Sequence, residues 1–326
     1  MKKINLEKLQ NPVAEELKKF NSFFKQQLAS DNKLVDYALK FILSQKGKKI
    51  RPLLVLLSAK LSGIISERSY RAASLVELLH TATLVHDDVV DEAEKRRGLP
   101  SLNNIWGNKI SVLVGDFLLS KGLMLSVTNG DFDFLQRITD TVKRMSEGEL
   151  LQIYKTKKLN IDEKTYLKII SDKTASLLST CCQIGGMSVT DNEEKIVALK
   201  NYGEYLGIAF QIKDDILDFT GTTKIFGKVK GGDVKEKKLT LPLIYALEKA
   251  DASKRKEILK NIRKGERNKS IPEIIKFVER SEGLEYSRQK AEEYSAKAKN
   301  CLAVFEDSDA KTSLIKLVEY VIEREK

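Results

Sequence analysis

The sequence has few prolines and no stretch rich in proline, glycine or serine that could link two domains. Only 5 of its 326 residues are proline. Hydrophobic residues make up 42% of the chain, which is enough to fill a sizeable core and excludes a disordered protein. We therefore expect a single domain that spans residues 1–326.

Cysteines and long apolar stretches are also scarce. The 3 cysteines are an odd number, and their spacing suits neither a disulfide framework nor a zinc site. They are Cys181, Cys182 and Cys301. The amino terminus lacks the apolar run of a signal peptide, and Asp116 and Lys121 interrupt the stretch closest to the ~20 apolar residues of a membrane span. These observations predict a cytoplasmic protein without a transmembrane segment.

The chain carries an excess of positive charge, with 57 Lys and Arg residues against 46 Asp and Glu residues. A net charge of +11 is compatible with nucleic-acid binding, but a basic surface also attracts anionic metabolites. Much of the excess lies in runs such as Lys254–Lys256, which are typical of solvated helix faces. The charge alone therefore does not indicate which partner the protein binds.

Apolar residues recur at helical spacing along nearly the whole chain, and alternating strand patterns are scarce. One example is the series Leu75, Leu78, Leu79, Ala82 and Val85. Breaks are indicated by Gly63, by Gly98–Pro100, by Asn129–Asp131 and by the glycine-rich segment Gly221–Asp233. We predict an all-α fold, a helical bundle around a central cavity, with its central helices buried on most sides.

Two acidic clusters share one pattern, in which two adjacent aspartates are followed three positions later by a third. The first cluster is Asp87, Asp88 and Asp91, and the second is Asp214, Asp215 and Asp218. Residues four apart lie on one helix face, so each cluster offers two carboxylates to one ion. Mg²⁺ suits this arrangement because it binds a few carboxylates together with water and substrate phosphates.

A plainer interpretation of such clusters is a set of exposed helix acids that pair with lysines. Apolar neighbours argue against it. Leu84 and Val85 lie beside the first cluster, and Ile212 and Ile216 lie beside the second. Burial makes unpaired carboxylates costly, whereas carboxylates that bind metal at the wall of a wet cavity avoid that cost.

The first cluster is followed by Arg96–Gly98, and the second is preceded by Gln211 and followed by Thr240–Leu243. With these flanking residues, the sequence resembles the trans-isoprenyl diphosphate synthase family, in particular long-chain types such as octaprenyl or heptaprenyl diphosphate synthases. The resemblance runs from about Gly47 to Leu247. It implies a prenyltransferase that condenses isopentenyl diphosphate with an allylic diphosphate such as farnesyl diphosphate, uses three Mg²⁺ ions with substrate bound, and forms a homodimer.

The resemblance also implies a second diphosphate site. The segment Gly47–Pro52 resembles the basic motif of the family, although Lys46 stands where the family usually has a glycine. By resemblance, isopentenyl diphosphate is bound by Lys48, Arg51, His80 and Arg97, and the allylic diphosphate is bound by Arg96. The alternatives are a hydrogen-bonded core histidine at His80 and a solvated surface pair at Arg96 and Arg97.

Further residues are assigned to the allylic site by the same resemblance. Contacts to diphosphate or metal are implied for Lys173, Thr174, Gln211, Lys228 and Lys238. Lys237 could replace Lys238, but alignment on Thr240–Pro242 favours Lys238. Single lysines in loops are usually just solvated. The catalytic set is Asp87, Asp88, Asp91, Lys173, Thr174, Gln211, Asp214, Asp215 and Asp218, and the metal ligands are Asp87, Asp88, Asp91, Asp214 and Asp218. The glycine-rich segment after the second cluster is a candidate lid.

The product chain is expected to grow along the helix of the first cluster, toward the amino end of that helix. A side chain five positions before Asp87 lies roughly 7.5 Å along the axis and is the first possible floor. That residue is Ala82, with Thr83 beside it and Leu79 one turn earlier. Short-chain family members usually place aromatic residues there. We therefore predict a long product, most simply octaprenyl within a hexaprenyl to nonaprenyl range, for a quinone side chain.

Several other functions remain to be weighed. The alternative within the family is a shorter-chain synthase that makes geranylgeranyl or farnesyl diphosphate. A terpene cyclase or head-to-head condensing enzyme would not need the basic residues Lys48 and Arg51. A non-catalytic subunit would be expected to have degenerate aspartates, whereas all six are present. A nucleic-acid-binding protein leaves both acidic clusters unexplained, so we expect no nucleic-acid partner.

Overall fold

The computed structural model describes residues 6–44, 47–96, 98–221, 230–264 and 270–324. The fold is all-α, as the sequence predicts. Within the described residues, strands are limited to an antiparallel pair, β1 (Lys95–Arg96) and β2 (Leu99–Pro100). This pair lies where a break was expected after the first acidic cluster.

Helices follow one another with short connections. In chain order they are α1 (Leu6–Leu9), a 3₁₀ turn (Asn11–Val13), α2 (Ala14–Gln27), α3 (Lys33–Ser44), α4 (Ile50–Ser62), α5 (Glu67–Val90), α6 (Leu102–Thr128), α7 (Phe132–Lys158), α8 (Glu163–Ile170), a π-helical turn (Ser171–Ala175), α9 (Ser176–Met187), α10 (Glu193–Thr220), α11 (Gly232–Lys235), α12 (Leu241–Lys249), α13 (Ala252–Ile262), α14 (Ile271–Arg280), α15 (Gly283–Cys301), a 3₁₀ turn (Leu302–Val304) and α16 (Asp309–Glu323).

Local sequence explains several of these boundaries. The helix α4 ends at Gly63, whose N–H donates to the carbonyl of Ala59 at 2.9 Å. The helix α8 starts after Asp162, whose carboxylate accepts the N–H of Thr165 at 2.7 Å. In the same way, the side chain of Asn192 caps α10. Such caps satisfy N–H groups that have no partner inside the helix.

The central helices are buried on several sides, as predicted. In α4 the run Leu53–Leu57 is completely buried, which is the pattern of a helix enclosed by others. Two clusters of buried apolar side chains fill the interior, and α10 contributes to both. The helix α10 also approaches its neighbours closely, since a Cβ on Gly203 would lie 2.4 Å from the carbonyl oxygen of Leu178. The second acidic cluster is therefore carried on a firmly packed helix.

The helix α6 corrects one expectation. Among the described residues, it alone is long and apolar enough to cross a membrane by length and composition, despite Asp116 and Lys121. About 39% of its most apolar window is buried in the structure, largely against α5. A core helix of a soluble protein passes the same test, so this is weak evidence for a membrane span. The helix is also kinked at Gly107.

Candidate active site

The first acidic cluster lies at the carboxyl end of α5. Asp87 is in the last turn, and Asp91 follows the helix as its cap, with its N–H donating to the carbonyl of Asp87 at 2.8 Å. Burial, followed by the charge of Asp91, raises the pKa of Asp87. The two carboxylates thus lie one turn apart, where burial and mutual repulsion disfavour their negative charges. A cation bound between them would offset this repulsion.

Asp88, in contrast, points into the protein. Its side chain is buried, and the Nε of Arg96 donates to both of its carboxylate oxygens at 2.8 Å. A second guanidinium nitrogen lies 2.6 Å from the same carboxylate. The sequence assigns Asp88 to the metal and Arg96 to the allylic diphosphate. In the structure these two side chains pair with each other, which fixes the position of Arg96 beside the first cluster.

The second cluster is organised around the buried Asp215. The phenolic O–H of Tyr166 donates to Asp215 at 2.6 Å, and the amide of Gln211 donates to it at 2.9 Å. The hydroxyl of Thr174 donates to the side-chain oxygen of Gln211 at 3.1 Å. Burial, followed by the charge of Asp233, raises the pKa of Asp215. A hydrogen-bonded chain therefore connects the π-helical turn to the second cluster.

The other two aspartates of this cluster have different surroundings. Asp214 forms an ion pair with Arg324 at 2.7 Å. Asp218 accepts the backbone N–H groups of Gly232 and Asp233 at 3.1 and 3.2 Å. Asp218 thereby anchors the carboxyl end of the glycine-rich segment, whose residues 222–229 lie outside the described residues.

A cavity of about 120 Å³ adjoins this second cluster. Its polar lining comes from α7, from the π-helical turn, from α10 and from the segment before α12. The polar residues include Lys173, Thr174, Gln211, Asp215, Asp233 and Lys238. Lys238, and not Lys237, lines the cavity, which agrees with the preferred sequence alignment. The cavity thus combines anionic and cationic groups, as a site for a metal–diphosphate complex requires.

None of the described residues that line this cavity belongs to α5. The predicted chain-length positions are therefore not part of its wall. Ala82 and Leu79 are buried in the apolar core, and Thr83 is partly buried. Lengthening of a product along α5 would require this packing to adjust.

Glu149 on α7 was missed by the sequence reasoning and connects the two clusters electrostatically. Its carboxylate forms an ion pair with Lys173. Its charge contributes to the raised pKa of Asp87 on one side. On the other side, burial lowers the pKa of Lys238, but the charges of Glu236, Asp233 and Glu149 outweigh burial and raise it.

A sequence signal for Glu149 does exist. Gln152 and Thr156 line the cavity, and with Glu149 they form a polar series at spacings of three and four. Such spacing places all three on one face of α7. This series could have indicated that α7 contributes a polar wall.

The comparisons with known proteins decide the family. A family model described as Polyprenyl synthetase matches residues 32–278. The chain belongs to the polyprenyl synthetase family. The matched stretch includes both acidic clusters, the basic motif and Lys238. The family resemblance drawn from the sequence is thereby confirmed.

Relatives of this polyprenyl synthetase make products of different lengths. The octaprenyl diphosphate synthase of Escherichia coli is 34% identical over 99% of this chain and 100% of its own. A short chain isoprenyl diphosphate synthase of Methanothermobacter thermautotrophicus is also 34% identical, over 88% of this chain and 90% of its own. The protein is therefore a prenyltransferase, but identity alone does not indicate its product length.

A solved structure shows the same fold with ligands. The polyprenyl synthase of Caulobacter crescentus, in complex with calcium and isoprenyl diphosphate, superimposes with a TM-score of 0.89. The sequences are 32% identical, and the superposition covers 100% of both chains. The chain therefore has the isoprenoid synthase fold.

The basic motif of this polyprenyl synthetase lies near the second cluster through α16. The ammonium group of Lys48 donates to the hydroxyl of Tyr320 at 3.1 Å. Arg324, one turn after Tyr320, pairs with Asp214 and stacks on the ring of Phe210. The sequence reasoning assigned no role to Arg324, because it follows the last helix and has no motif around it.

The structure describes only some of the remaining residues that were predicted to bind the two diphosphates. Arg51 lies in the first turn of α4, and His80 is buried on α5. Arg97 and Lys228 lie outside the described residues. None of the assigned ligand roles is tested by the geometry, and all remain predictions.

The donor set fits Mg²⁺ when the substrate is included. Among the described residues, no three His, Cys, Asp or Glu side chains are grouped closely enough to hold a metal ion by themselves. Mg²⁺ is usually bound by one or two carboxylates and completes its shell with water and substrate phosphates. The carboxylates of Asp87 and Asp91, and that of Asp214 near the cavity, suit that mode.

Proposed function

We propose that this prenyltransferase is a long-chain all-trans polyprenyl diphosphate synthase that adds isopentenyl diphosphate repeatedly to an allylic diphosphate. Octaprenyl diphosphate is the proposed product, and a quinone side chain is its proposed use. The observation that carries the proposal is that Lys173 lines the cavity together with Asp215 and Lys238, while its charge also acts on Asp87 of the first cluster. This combination suits a shared metal–diphosphate complex.

In this proposal the allylic diphosphate lies between the two clusters. Lys173 and Lys238 donate hydrogen bonds to its oxygens, and Arg96 is held near it by Asp88. Asp87, Asp91 and Asp214 would hold Mg²⁺ ions, which would supply positive charge to the departing diphosphate. Asp218 belongs to the same proposed ligand set, as does Asp88 when its pairing with Arg96 is relaxed.

The proposed reaction begins with heterolysis of the allylic carbon–oxygen bond, and the electron pair leaves with the diphosphate oxygen. The alkene of isopentenyl diphosphate then donates its π electrons to the allylic cation and forms the new carbon–carbon bond. A proton then leaves the carbon next to the new cationic centre, and its C–H electrons form a double bond there. The released diphosphate accepts this proton. The side-chain oxygens of Thr174 and Gln211 direct their dipoles toward the cation and stabilise it.

The second substrate is placed at the basic motif. Lys48, Arg51, His80 and Arg97 are the proposed ligands of isopentenyl diphosphate. Lys48 is already close to α16, which also carries the contact to Asp214 through Arg324. Lys48 and Asp214 thus both contact residues at the carboxyl end of α16, which supports a basic site near the second cluster.

The proposed long product depends on small side chains along α5. Ala82 offers a smaller barrier than an aromatic residue, and Thr83 and Leu79 surround it. A shorter-chain product is the second candidate, since a short chain synthase is among the relatives. The described cavity does not yet reach these residues, so product length has to be measured.

The exposed face of α6 supports a proposal about the assembly and location of the enzyme. The outward face of α6 exposes Ile105, Val112, Leu113, Leu123, Met124 and Val127, each at least 40% accessible. An exposed face that is rich in apolar side chains is typical of an interaction surface, and the exposed Asp116 also belongs to this helix. We assign it to a homodimer contact of a cytoplasmic enzyme that touches a membrane only when its apolar product leaves.

The test is a product assay. The protein is incubated with Mg²⁺, farnesyl diphosphate and labelled isopentenyl diphosphate, and the dephosphorylated product is sized by chromatography. The proposal predicts a product in the hexaprenyl to nonaprenyl range, centred on octaprenyl. A product that stops at geranylgeranyl would support the shorter-chain candidate, and no chain elongation would contradict the proposed reaction.

A further inference from the structure

The turn that carries Lys173 and Thr174 has an unusual conformation. Residues Ser171–Ala175 form a π-helical turn, in which the N–H of Ser176 donates to the carbonyl of Ser171. Wide turns of this type are rare and occur frequently at functional sites. A turn that is seldom adopted needs additional contacts to keep one conformation.

A network of charged side chains makes those contacts from outside the cavity. Arg144 on α7 donates through Nε to Asp172 at 3.0 Å and through a terminal nitrogen to the hydroxyl of Ser171 at 3.0 Å. The same guanidinium donates to Glu204 on α10 at 2.9 Å. Lys168 adds a contact to Asp172 at 2.7 Å. Arg144 thus binds the turn to the two helices that enclose it.

The backbone is confined on the same two sides. A Cβ on Gly148 of α7 would lie 3.0 Å from the backbone nitrogen of Lys173. A Cβ on Gly207 of α10 would lie 2.5 Å from the Cα of Ala175. Close backbone packing therefore sets how far the turn stands from each helix, and the network of Arg144 sets its orientation.

None of Arg144, Asp172 and Glu204 lines the cavity, so their effect on a ligand must pass through the turn. We propose that Arg144, with Asp172 and Glu204, is a positioning residue that holds Lys173 and Thr174 in the orientation needed to bind the allylic diphosphate. This inference rests on the proposed function. Lys173 must exchange its partner Glu149 for the diphosphate, and a fixed backbone keeps both positions within reach of its side chain.

The test is a kinetic comparison of the full-length enzyme with the variant Arg144→Met, which removes the charge and retains most of the side-chain length. The KM for the allylic diphosphate is expected to rise by about tenfold, since small misplacements of binding groups are costly, and the KM for isopentenyl diphosphate is expected to stay the same. Arg144→Lys should give an intermediate KM, because lysine keeps the charge and loses the planar fork.

Two controls separate positioning from general stability. Arg68→Met removes an arginine with comparable ion pairs to Asp131 and Asp133, remote from the turn, and should leave the allylic KM unchanged. In a Lys173→Met background, Arg144→Met should raise the allylic KM by a smaller factor than it does in the wild-type enzyme, because one of the two groups that it positions is gone.

Two results would overturn this inference without affecting the proposed function. One is an Arg144→Met enzyme with a lower melting temperature and unchanged KM values. The other is a pair of effects that multiply in the double variant, which would mean that Arg144 acts independently of Lys173. An unchanged allylic KM in Lys173→Met alone would instead remove the proposed role of Lys173, and the inference with it.

Discussion

At the scale of single residues, the clustered aspartates are not equivalent. Four of the six hold a specific partner in the structure, namely Asp88 with Arg96, Asp214 with Arg324, Asp215 with Tyr166 and Gln211, and Asp218 with two backbone N–H groups. Each partner neutralises or fixes a carboxylate that would otherwise be costly to hold near others. Substrate and Mg²⁺ would have to compete with the most accessible of these partners.

Arg324 is the clearest such competitor, because its charge lies 2.7 Å from Asp214. An ion pair of this kind is worth about 1 kcal/mol, so Arg324→Gln should lower the Mg²⁺ concentration for half-maximal activity by about fivefold. The measurement is a Mg²⁺ titration of the initial rate at saturating substrates. Arg288→Gln, which removes an exposed ion pair on α15, is the matched control. An unchanged or higher Mg²⁺ requirement in Arg324→Gln would contradict the competition.

Tyr166 is expected to stabilise the buried Asp215. Tyr166→Phe removes the hydroxyl that donates to this carboxylate and should lower the free energy of unfolding by about 1–3 kcal/mol. Activity should fall as well, because Asp215 also holds Gln211. Denaturant unfolding and steady-state kinetics measure the two effects.

The variant Tyr202→Phe provides a matched comparison for that prediction. Tyr202 is equally buried, but its hydroxyl donates to the backbone carbonyl of Leu314, far from the cavity. It should lower stability without lowering activity. If both tyrosine variants lost activity to the same extent, the specific role of Tyr166 would be wrong.

Sequence patterns could indicate the residues that belong to recognisable motifs and could not indicate those that act singly. Lys238 was chosen over Lys237 from its spacing to Pro242, and the structure places Lys238 at the cavity. Glu149 and Arg324 were missed, because each reaches the site from another helix through packing. The partner of Asp88 could not be predicted either, since it depends on the turn between α5 and β1.

At the scale of secondary-structure elements, α5 carries both the proposed metal ligand Asp87 and the residues predicted to limit product length. Its carboxyl end carries Asp87, and its interior carries Ala82 and Leu79 in the packed core. The direction of product growth along this helix stays a prediction. According to this prediction, the side chain of Ala82 is the first steric limit on the length of the product.

Substitution of Ala82 tests this directly. Ala82→Phe should shorten the main product, because the ring would occupy the space that the growing chain needs. Ala82→Leu adds less volume and should shorten the product less. Because position 82 is only 2% exposed, this smaller substitution keeps the test usable if Ala82→Phe does not fold. Product sizes are compared by chromatography after circular dichroism confirms folding. Folded variants with unchanged product lengths would contradict the assignment.

Element boundaries were predictable where capping or glycine signals are local, as at Gly63 and at Asn129–Asp131. The π-helical turn was not predictable, because the sequence from Tyr166 to Leu178 has the spacing of one continuous apolar helix. Its conformation depends on contacts with α7 and α10, which are distant in sequence. Arg144 and Glu204 show that tertiary contacts, more than local propensity, select this turn.

At the scale of the whole molecule, the outward face of α6 is the surface that we assign to the proposed homodimer contact. It is apolar, it is carried by a helix that packs on α5, and α5 carries the first cluster. The fold class was predictable because helical periodicity extends through nearly all the sequence. What this face contacts was not predictable from the sequence, because an apolar stripe can pack inside one chain or against another chain.

A charge on that face should weaken the proposed homodimer. Leu113 is 58% exposed, and Leu113→Glu would bring two like charges into a contact around the symmetry axis. Sedimentation should show a shift from twice the 36.9 kDa chain mass toward a single chain. Ile64→Glu, at an apolar residue that is 89% exposed elsewhere, should leave the mass unchanged. A wild-type protein that sediments as a single chain would contradict the dimer.

The central claim is that both acidic clusters bind the same metal–diphosphate complex, and calorimetric titration tests it most directly. The ligand is a farnesyl diphosphate analogue in which sulfur replaces the bridging oxygen, so that ionisation is slow. We predict that it binds the wild-type enzyme only with Mg²⁺ present, and that either Asp87→Ala or Asp214→Ala weakens binding at least about tenfold. Binding that persists in EDTA, or that survives loss of either aspartate, would contradict the claim.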